Sequence, residues 1–288
     1  MKVIADATAM TELSQQWKSS GQSVGFVPTM GALHAGHLGL VDISKSMADR
    51  TVVSIFLNPA QFSEDEDIGR YPVSIEDDRG LLLEAGVDAL FLPGPGEIYQ
   101  EGFSTWVEVH GLTDTLCGEY RPGHFRGVTT VCTILFDIVR PDLAVFGQKD
   151  AQQLAVIRRL VRDLRLGIEI VAGSIARESD GLAMSSRNRY LSPLQRTEAA
   201  AISMGLNCVR EAVSRGIVES GELVRIFQSE MDLRPGLTLQ YARLVDPDTM
   251  EDLHSTASRA LFAVAVYSGK TRLIDNVLLE PGTDPMEV

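Results

Sequence analysis

Pro28-Thr29-Met30-Gly31-Ala32-Leu33-His34-Ala35-Gly36-His37 follows directly on the apolar run Val24-Gly25-Phe26-Val27 and leads into an amphipathic stretch over 38–48. The order is strand, glycine-bearing turn, helix, with two histidines at the junction. A helix start offers unpaired N–H groups and a partial positive charge, which suits a phosphate. Two imidazoles there add donors that are neutral or charged near pH 7. Small residues at 31, 32, 35 and 36 let a nucleotide approach the backbone closely. A lone histidine near a helix start reads as a polar surface residue. Two histidines separated by Ala-Gly behind a buried-type strand point instead to chemistry on a nucleoside triphosphate. The sequence has no G-x-x-x-x-G-K-[ST], so the site is not a P-loop, and the stretch is unlike the G-x-G-x-x-G fingerprint.

From this stretch outward, helical and strand patterns alternate. Residues 8–19 read as a helix and 23–27 as a strand. The run 51–57 is β-branched and almost wholly apolar, as a strand buried on both faces should be. Ser74 is expected to cap a helix to 85, with Asp77 as its capping-box partner. Residues 89–92, 143–146 and 168–172 read as strands, 127–139 and 151–164 as helices. Alternation of this kind implies βαβ units and a mostly parallel sheet. Beyond about Tyr190 the pattern changes. Stretches 193–215 and 219–231 read as helices, and 237–245, 260–267 and 272–279 as strands. The expected architecture is α/β, a Rossmann-like open parallel sheet with helices on both faces over 1–191. A smaller α+β unit over 192–288 would cover the site.

The chain of 288 residues is long for one core and suits one large unit plus a small one. Its formal net charge of −13 would repel a phosphate backbone, which argues against nucleic acid as a partner. Cys117, Cys132 and Cys208 are far apart and form no metal-type spacing, so three reduced thiols in a cytoplasmic protein are expected. The amino terminus has no apolar signal-type segment, and no apolar stretch approaches the roughly 20 residues that span a bilayer.

In an open α/β sheet the ligand lies beyond the carboxyl ends of the strands. Three further motifs sit there or close by. Asn58-Pro59-Ala60-Gln61-Phe62 ends a strand with two amides, suited to a hydroxyl or carboxylate, although Asn-Pro turn chemistry explains Asn58 equally well. Gly147-Gln148-Lys149-Asp150 puts a mobile cation at a strand end, with Gln153 one turn further on. Met184-Ser185-Ser186-Arg187 combines hydroxyls, backbone N–H groups and a guanidinium, either for a triphosphate or as a polar loop between units. Arg121 lies in a second basic, glycine-containing loop, 121–127. The run Glu64-Asp65-Glu66-Asp67 reads as a solvated acidic loop. Asp77 and Asp78 are the candidate oxygen ligands for Mg²⁺, although Asp77 equally serves Ser74 alone.

The H-x-G-H element resembles the signature of nucleotidyltransferases related to class I aminoacyl-tRNA synthetases. Taken with N-P-x-Q-F, the 121–127 loop, Gly147–Asp150, M-S-S-R-N and Lys270-Thr271-Arg272-Leu273-Ile274-Asp275-Asn276, it closely resembles the pantoate–β-alanine ligase family over nearly the full length. The resemblance implies a ligation of ATP, (R)-pantoate and β-alanine through a pantoyl-adenylate, releasing pyrophosphate and AMP, with Mg²⁺ and a homodimer. It implies His37 as proton donor, and the residue chemistry agrees, since His34, His37, Lys149 and Arg187 suit the charge that develops on pyrophosphate. For ATP it implies Met30, Gly31, Ala32, Leu33, His34, Ala35, Gly36 and His37, then Gly147, Gln148, Lys149, Asp150 and Ala176, then Met184, Ser185, Ser186 and Arg187. For substrate it implies Gln61 and Gln153, beside which the residues themselves suggest Asn58 and Arg121. The chain departs from the family in Gln148 for an expected Glu, in Ala176 for a usual valine, and in the acidic loop. A nucleotidyltransferase that stops at the nucleotidylated product is the alternative. It would need no acyl acceptor, and the glutamine pair and the whole-length match argue against it.

Overall fold

The structure, a computed structural model, describes residues 1–63 and 67–280. Elements in chain order are β1 (Lys2–Ile4), α1 (Ala7–Ser19), β2 (Val24–Thr29), α2 (Ala35–Met47), β3 (Arg50–Ile55), α3 (Ile75–Glu84), β4 (Ala89–Phe91), α4 (Pro95–Ile98), α5 (Cys117–Tyr120), α6 (His124–Val139), β5 (Leu143–Gly147), α7 (Ala151–Asp163) and β6 (Glu169–Gly173). Then come α8 (Pro193–Ala199), α9 (Ala201–Ser214), α10 (Ser220–Asp232), β7 (Leu237–Val245), β8 (Ala260–Ser268) and β9 (Thr271–Leu279).

The first six strands form one sheet in the order β1-β4-β3-β2-β5-β6, and every pairing is parallel. Side chains of β2 alternate between its faces. Val24 and Phe26 pack under α1, α6 and α7 with Met10, Phe136 and Ile157. Val27 packs with Val41 of α2 and Leu82 of α3 on the opposite face. Burial on both faces explains the continuous apolar runs. From β2 the chain proceeds through β3 and β4 to one side and through β5 and β6 to the other. The topological switch therefore lies between β2 and β5, where such sheets open a ligand crevice.

The last three strands form an antiparallel sheet, β7-β8-β9. Along β8, Ala260, Phe262, Val264 and Val266 face Leu206, Leu223 and Phe227 of α9 and α10. Leu261, Ala263 and Ala265 face Ala155 and Val156 of α7 together with Leu112 and Phe125. This second core fastens the small sheet to the α7 side of the large one.

Several local expectations are corrected. The helix expected from 38 begins at Ala35, and that expected from 127 begins at His124. The stretch 193–215 is two helices that meet at Ala200, the first capped reciprocally by Ser192 and Gln195. Ser74 does not accept a backbone N–H; its hydroxyl donates to the Asp77 carboxylate, so the capping box is not formed. Edge strand β1 is an addition to the expected elements, being only three residues long. Of the acidic run, 64–66 lie outside the described residues.

Candidate active site

Gly31 and Ala32, in the turn after β2, both take positive φ, +87° and +53°. Glycine tolerates this region, whereas alanine must be held in it. Asp78, on the first turn of α3, does the holding. Its two carboxylate oxygens accept the N–H groups of Leu33 at 2.7 Å and Ala32 at 2.8 Å. Asp78 is 2% exposed and both its oxygens are occupied by the turn. Asp77 is exposed and bonded to Ser74. No group of three or more His, Cys, Asp and Glu that could hold a metal occurs among the described residues. Asp77 and Asp78, the residues expected to meet Mg²⁺, thus have other partners in the structure, and Asp78 anchors the turn.

That turn delivers His34 to the N-cap of α2. His34 Nδ1 accepts the Gly36 N–H at 3.2 Å, and His37 Nδ1 accepts the His34 N–H at 3.3 Å. Since both Nδ1 atoms accept, each neutral ring carries its proton on Nε2. The ring centroids lie 4.1 Å apart. Burial first, then the Lys149 and Arg189 charges, lower the His34 pKa to about 4 against the opposing pull of Asp150. Burial, then His34, lowers that of His37 to about 3. At neutral pH the pair is thus two uncharged Nε2–H donors. A Cβ on Gly36 would stand 2.9 Å from His34 Cε1 and 3.2 Å from the Ala176 Cβ, so any larger residue there would push the His34 ring aside.

These shifts have a consequence for stability. Both folded-state values lie below the usual histidine pKa of 6.5, so the unfolded chain binds protons first. Stability then rises with pH wherever the unfolded state holds more protons. From these two groups the contribution is expected to be flat just above pH 7 and to fall from about pH 6.5 downward. Thermal unfolding between pH 7.5 and 5 should show the decline, and His34→Asn with His37→Gln should flatten it. An unchanged slope in the double variant would place its origin elsewhere.

After β3, Asn58 caps the 3₁₀ turn Pro59–Gln61. Its Oδ1 accepts the Ala60 N–H at 3.2 Å and the Tyr99 hydroxyl at 2.8 Å, and its Nδ2 donates to Gln61 Oε1 and the Gly127 carbonyl, both at 3.1 Å. All four of its hydrogen-bonding positions are used. Asn58 lines the cavity but holds Gln61 rather than offering itself to a substrate. Gln61 Nε2 donates to Met30 Sδ at 2.8 Å. The Gln61 carbonyl accepts from His124 Nδ1 at 2.8 Å and Arg121 Nη2 at 3.4 Å. His124 must therefore carry its proton on Nδ1, leaving Nε2 to accept from Arg121 Nη1 at 3.0 Å.

After β5 comes the 3₁₀ turn Gln148–Asp150, running into α7. Gln153 shares the cavity with Lys149. Gln152 turns away to hold the 112–117 loop through Leu112, Thr115 and Cys117. The remaining wall is 174–187. Met184 N–H bonds the Ala176 carbonyl at 2.9 Å, Ser185 caps the turn Ser186–Tyr190, and Ser186 donates to the Tyr71 hydroxyl at 3.1 Å.

The cavity so enclosed measures about 230 Å³. It gathers Met30, His34, Gly36, His37, Asn58, Gln61, Arg121, Gly147, Lys149, Asp150, Gln153, Ala176, Met184, Ser185, Ser186 and Arg187. Val128, Val131, Cys132 and Leu135 of α6 also line it. Burial pushes the Cys132 thiol up to about 12, so it is no thiolate nucleophile. A second cavity of about 780 Å³ shares Arg121, Lys149, Asp150, Ser185 and Arg187 with the first and reaches Lys270 and Arg272 at the small sheet. Gly31, Ala32, Leu33, Ala35 and Gln148, expected in the ATP segments, are not among the residues that line the first cavity. Leu33 instead packs into the core beneath α2. Tyr71 and His124, to which the sequence alone assigns no role, do line it. The basic loop 121–127 is a sequence signal for His124, and Tyr71 has none.

The strands that deliver these residues, β3, β2 and β5, are neighbours in the sheet and straddle its switch point. Residues 2–278 match the family model described as Pantoate-beta-alanine ligase. The pantothenate synthetase of Desulfatibacillum aliphaticivorans is 48% identical over 281 residues, covering 98% of this chain and 100% of its own. That of Acetivibrio thermocellus is 46% identical over 280 residues, 97% of this chain and 100% of its own. The crystal structure of pantothenate synthetase from Thermus thermophilus superposes with a TM-score of 0.92 at 43% identity, covering 98% and 100% of the two chains. A Francisella tularensis pantoate–β-alanine ligase, complexed with β,γ-ATP and β-alanine, superposes with a TM-score of 0.80 at 33% identity over 96% and 97%. Matched from its first strand to its last, the chain belongs to the pantoate–β-alanine ligase family.

Proposed function

We propose that this chain forms pantothenate from pantoate, β-alanine and ATP, in two steps within the joined cavities. In the first, a carboxylate oxygen of (R)-pantoate attacks the α-phosphorus, and the bond to the bridging oxygen of pyrophosphate breaks. In the second, the amine of β-alanine attacks the acyl carbon, the C–O bond to AMP breaks, and the amine proton is released. The observation that carries this reading is the convergence of uncharged donors, cations and amides beyond the ends of three adjacent strands.

Negative charge grows on pyrophosphate as the first step proceeds. Lys149 and Arg187 supply positive charge, and His34 and His37 supply Nε2–H donors already oriented by their Nδ1 bonds. Holding a proton on Nε2 makes His37 a hydrogen-bond donor to the leaving group, the role nearest to a proton donor that its low pKa permits. Gln61 and Gln153 offer amides to the hydroxyls and carboxylate of pantoate. Among the described residues Asp150 is the one carboxylate lining the first cavity, which fits Mg²⁺ arriving on the phosphates with at most one protein oxygen. Such an ion would neutralise phosphate charge.

Residues 1–191 are taken as the unit that binds nucleotide and substrates, and 192–288 as its cover, on the strength of the second cavity's lining. Three free cysteines support the cytoplasm as its compartment, and the family resemblance supports a homodimer. The test is pyrophosphate release from Mg-ATP with pantoate, with and without β-alanine. Pantoate-dependent release, with turnover and AMP only when β-alanine is present, is expected. Release independent of pantoate would sink the ligase reading.

A further inference from the structure

Asn276 has no part in the steps above, yet it grips the loop that carries Lys149. It lies on β9 beside Asp275, and alternation along a strand sends the two side chains to opposite faces. Asp275 takes Arg177 in a two-pronged ion pair at 2.7 and 3.1 Å, and Arg177 donates to the Gly181 carbonyl, tying down the segment before Met184. Asn276 Nδ2 reaches the other way. It donates to the carbonyl oxygens of Gln148 and Lys149, both at 3.0 Å. Only an amide NH₂ can serve two carbonyls, so the orientation of the side chain is settled by its partners. Those carbonyls belong to the peptide planes on either side of the Lys149 Cα. Fixing two successive planes fixes φ and ψ of the residue between them, and with these the direction of its Cα–Cβ bond.

Two further observations separate this from ordinary packing. The 3₁₀ turn Gln148–Asp150 has no side-chain cap of its own, so Asn276 supplies its anchor from 127 and 128 positions away. The Asn276 Oδ1 is buried with no hydrogen-bond partner among the described residues. Fold stability alone would favour an apolar residue over a buried amide with one unpaired end. We infer that Asn276 is a positioning residue that aims Lys149 at the phosphates of ATP from the small sheet. The inference rests on the proposed contact between Lys149 and ATP.

The test is a double-mutant cycle on Asn276→Ala and Lys149→Ala, read as kcat for pantothenate formation and as Kd for ATP. Asn276→Ala is expected to lower kcat about 10- to 100-fold, with the pantoate KM within about twofold of the parent. In the Lys149→Ala background the same change should cost almost nothing, because the group it aims is gone. Asn276→Asp, of equal size but without donors, should be at least as impaired as the alanine variant. If Asn276→Ala does not fold, Asn276→Ser enters the cycle in its place. Losses that multiply in the double variant, or an Asn276→Asp enzyme as active as the parent, would overturn the inference. A parent that binds ATP but makes no pantothenate would sink the ligase reading instead, and the cycle in ATP affinity would still decide the role of Asn276.

Discussion

His37→Ala is expected to slow pantoate-dependent pyrophosphate release about 10²- to 10³-fold, the loss associated with removing one preorganised donor from developing negative charge. The substitution does two things at once. It removes an Nε2–H donor from the cavity, and it removes the Nδ1 acceptor for the His34 N–H. Loss of a helix cap costs typically about 1 kcal/mol. A rate loss of 10²–10³ corresponds to about 3–4 kcal/mol at the transition state, too large for the cap alone. His37→Gln separates the two effects, since glutamine at this position of a capping box accepts the N-cap N–H. That variant should unfold at the parent's temperature and remain slow. A glutamine variant that recovers rate together with stability would make His37 a cap and nothing more.

The histidine pair illustrates what was legible in the sequence. Its position behind an apolar run at a strand end placed it at the crevice, because runs such as Thr51 to Ile55 report burial on both faces and therefore a parallel sheet. The start of α2 was legible only to within three residues. Its N-cap is His34 rather than Ser, Thr, Asp or Asn, so the usual start signal is missing. Asn58 shows a different limit. An amide at a strand end looks the same in sequence whether it faces a ligand or spends every hydrogen bond on its neighbours. The anchors of the site were not legible at all. Asp78 reaches Ala32 across 46 positions and Asn276 reaches Lys149 across 127, and such contacts leave no local period or spacing to read.

Asp78→Ala is the substitution expected to cost most stability. It leaves the Ala32 and Leu33 N–H groups without an acceptor in a buried turn. Each orphaned donor costs about 1–3 kcal/mol. The pair therefore amounts to several kcal/mol, or a fall in Tm of roughly 10 °C at about 2–4 °C per kcal/mol. Asp78→Asn keeps one acceptor but turns an NH₂ group toward the second N–H, so it should fall between parent and alanine. Asp77→Ala touches an exposed carboxylate at a helix start and should change stability by less than about 1 kcal/mol. The contrast tests the assignment of Asp78 as the anchor of the turn that carries His34. Unfolding is measured in EDTA without ATP, where a metal ligand has nothing to bind. An Asp78→Ala protein that unfolds with the parent in EDTA, yet needs more Mg²⁺ for activity, would make Asp78 a metal ligand instead. A large drop in EDTA leaves the two backbone bonds as its cause, because those N–H groups are what the Asp78 oxygens hold among the described residues.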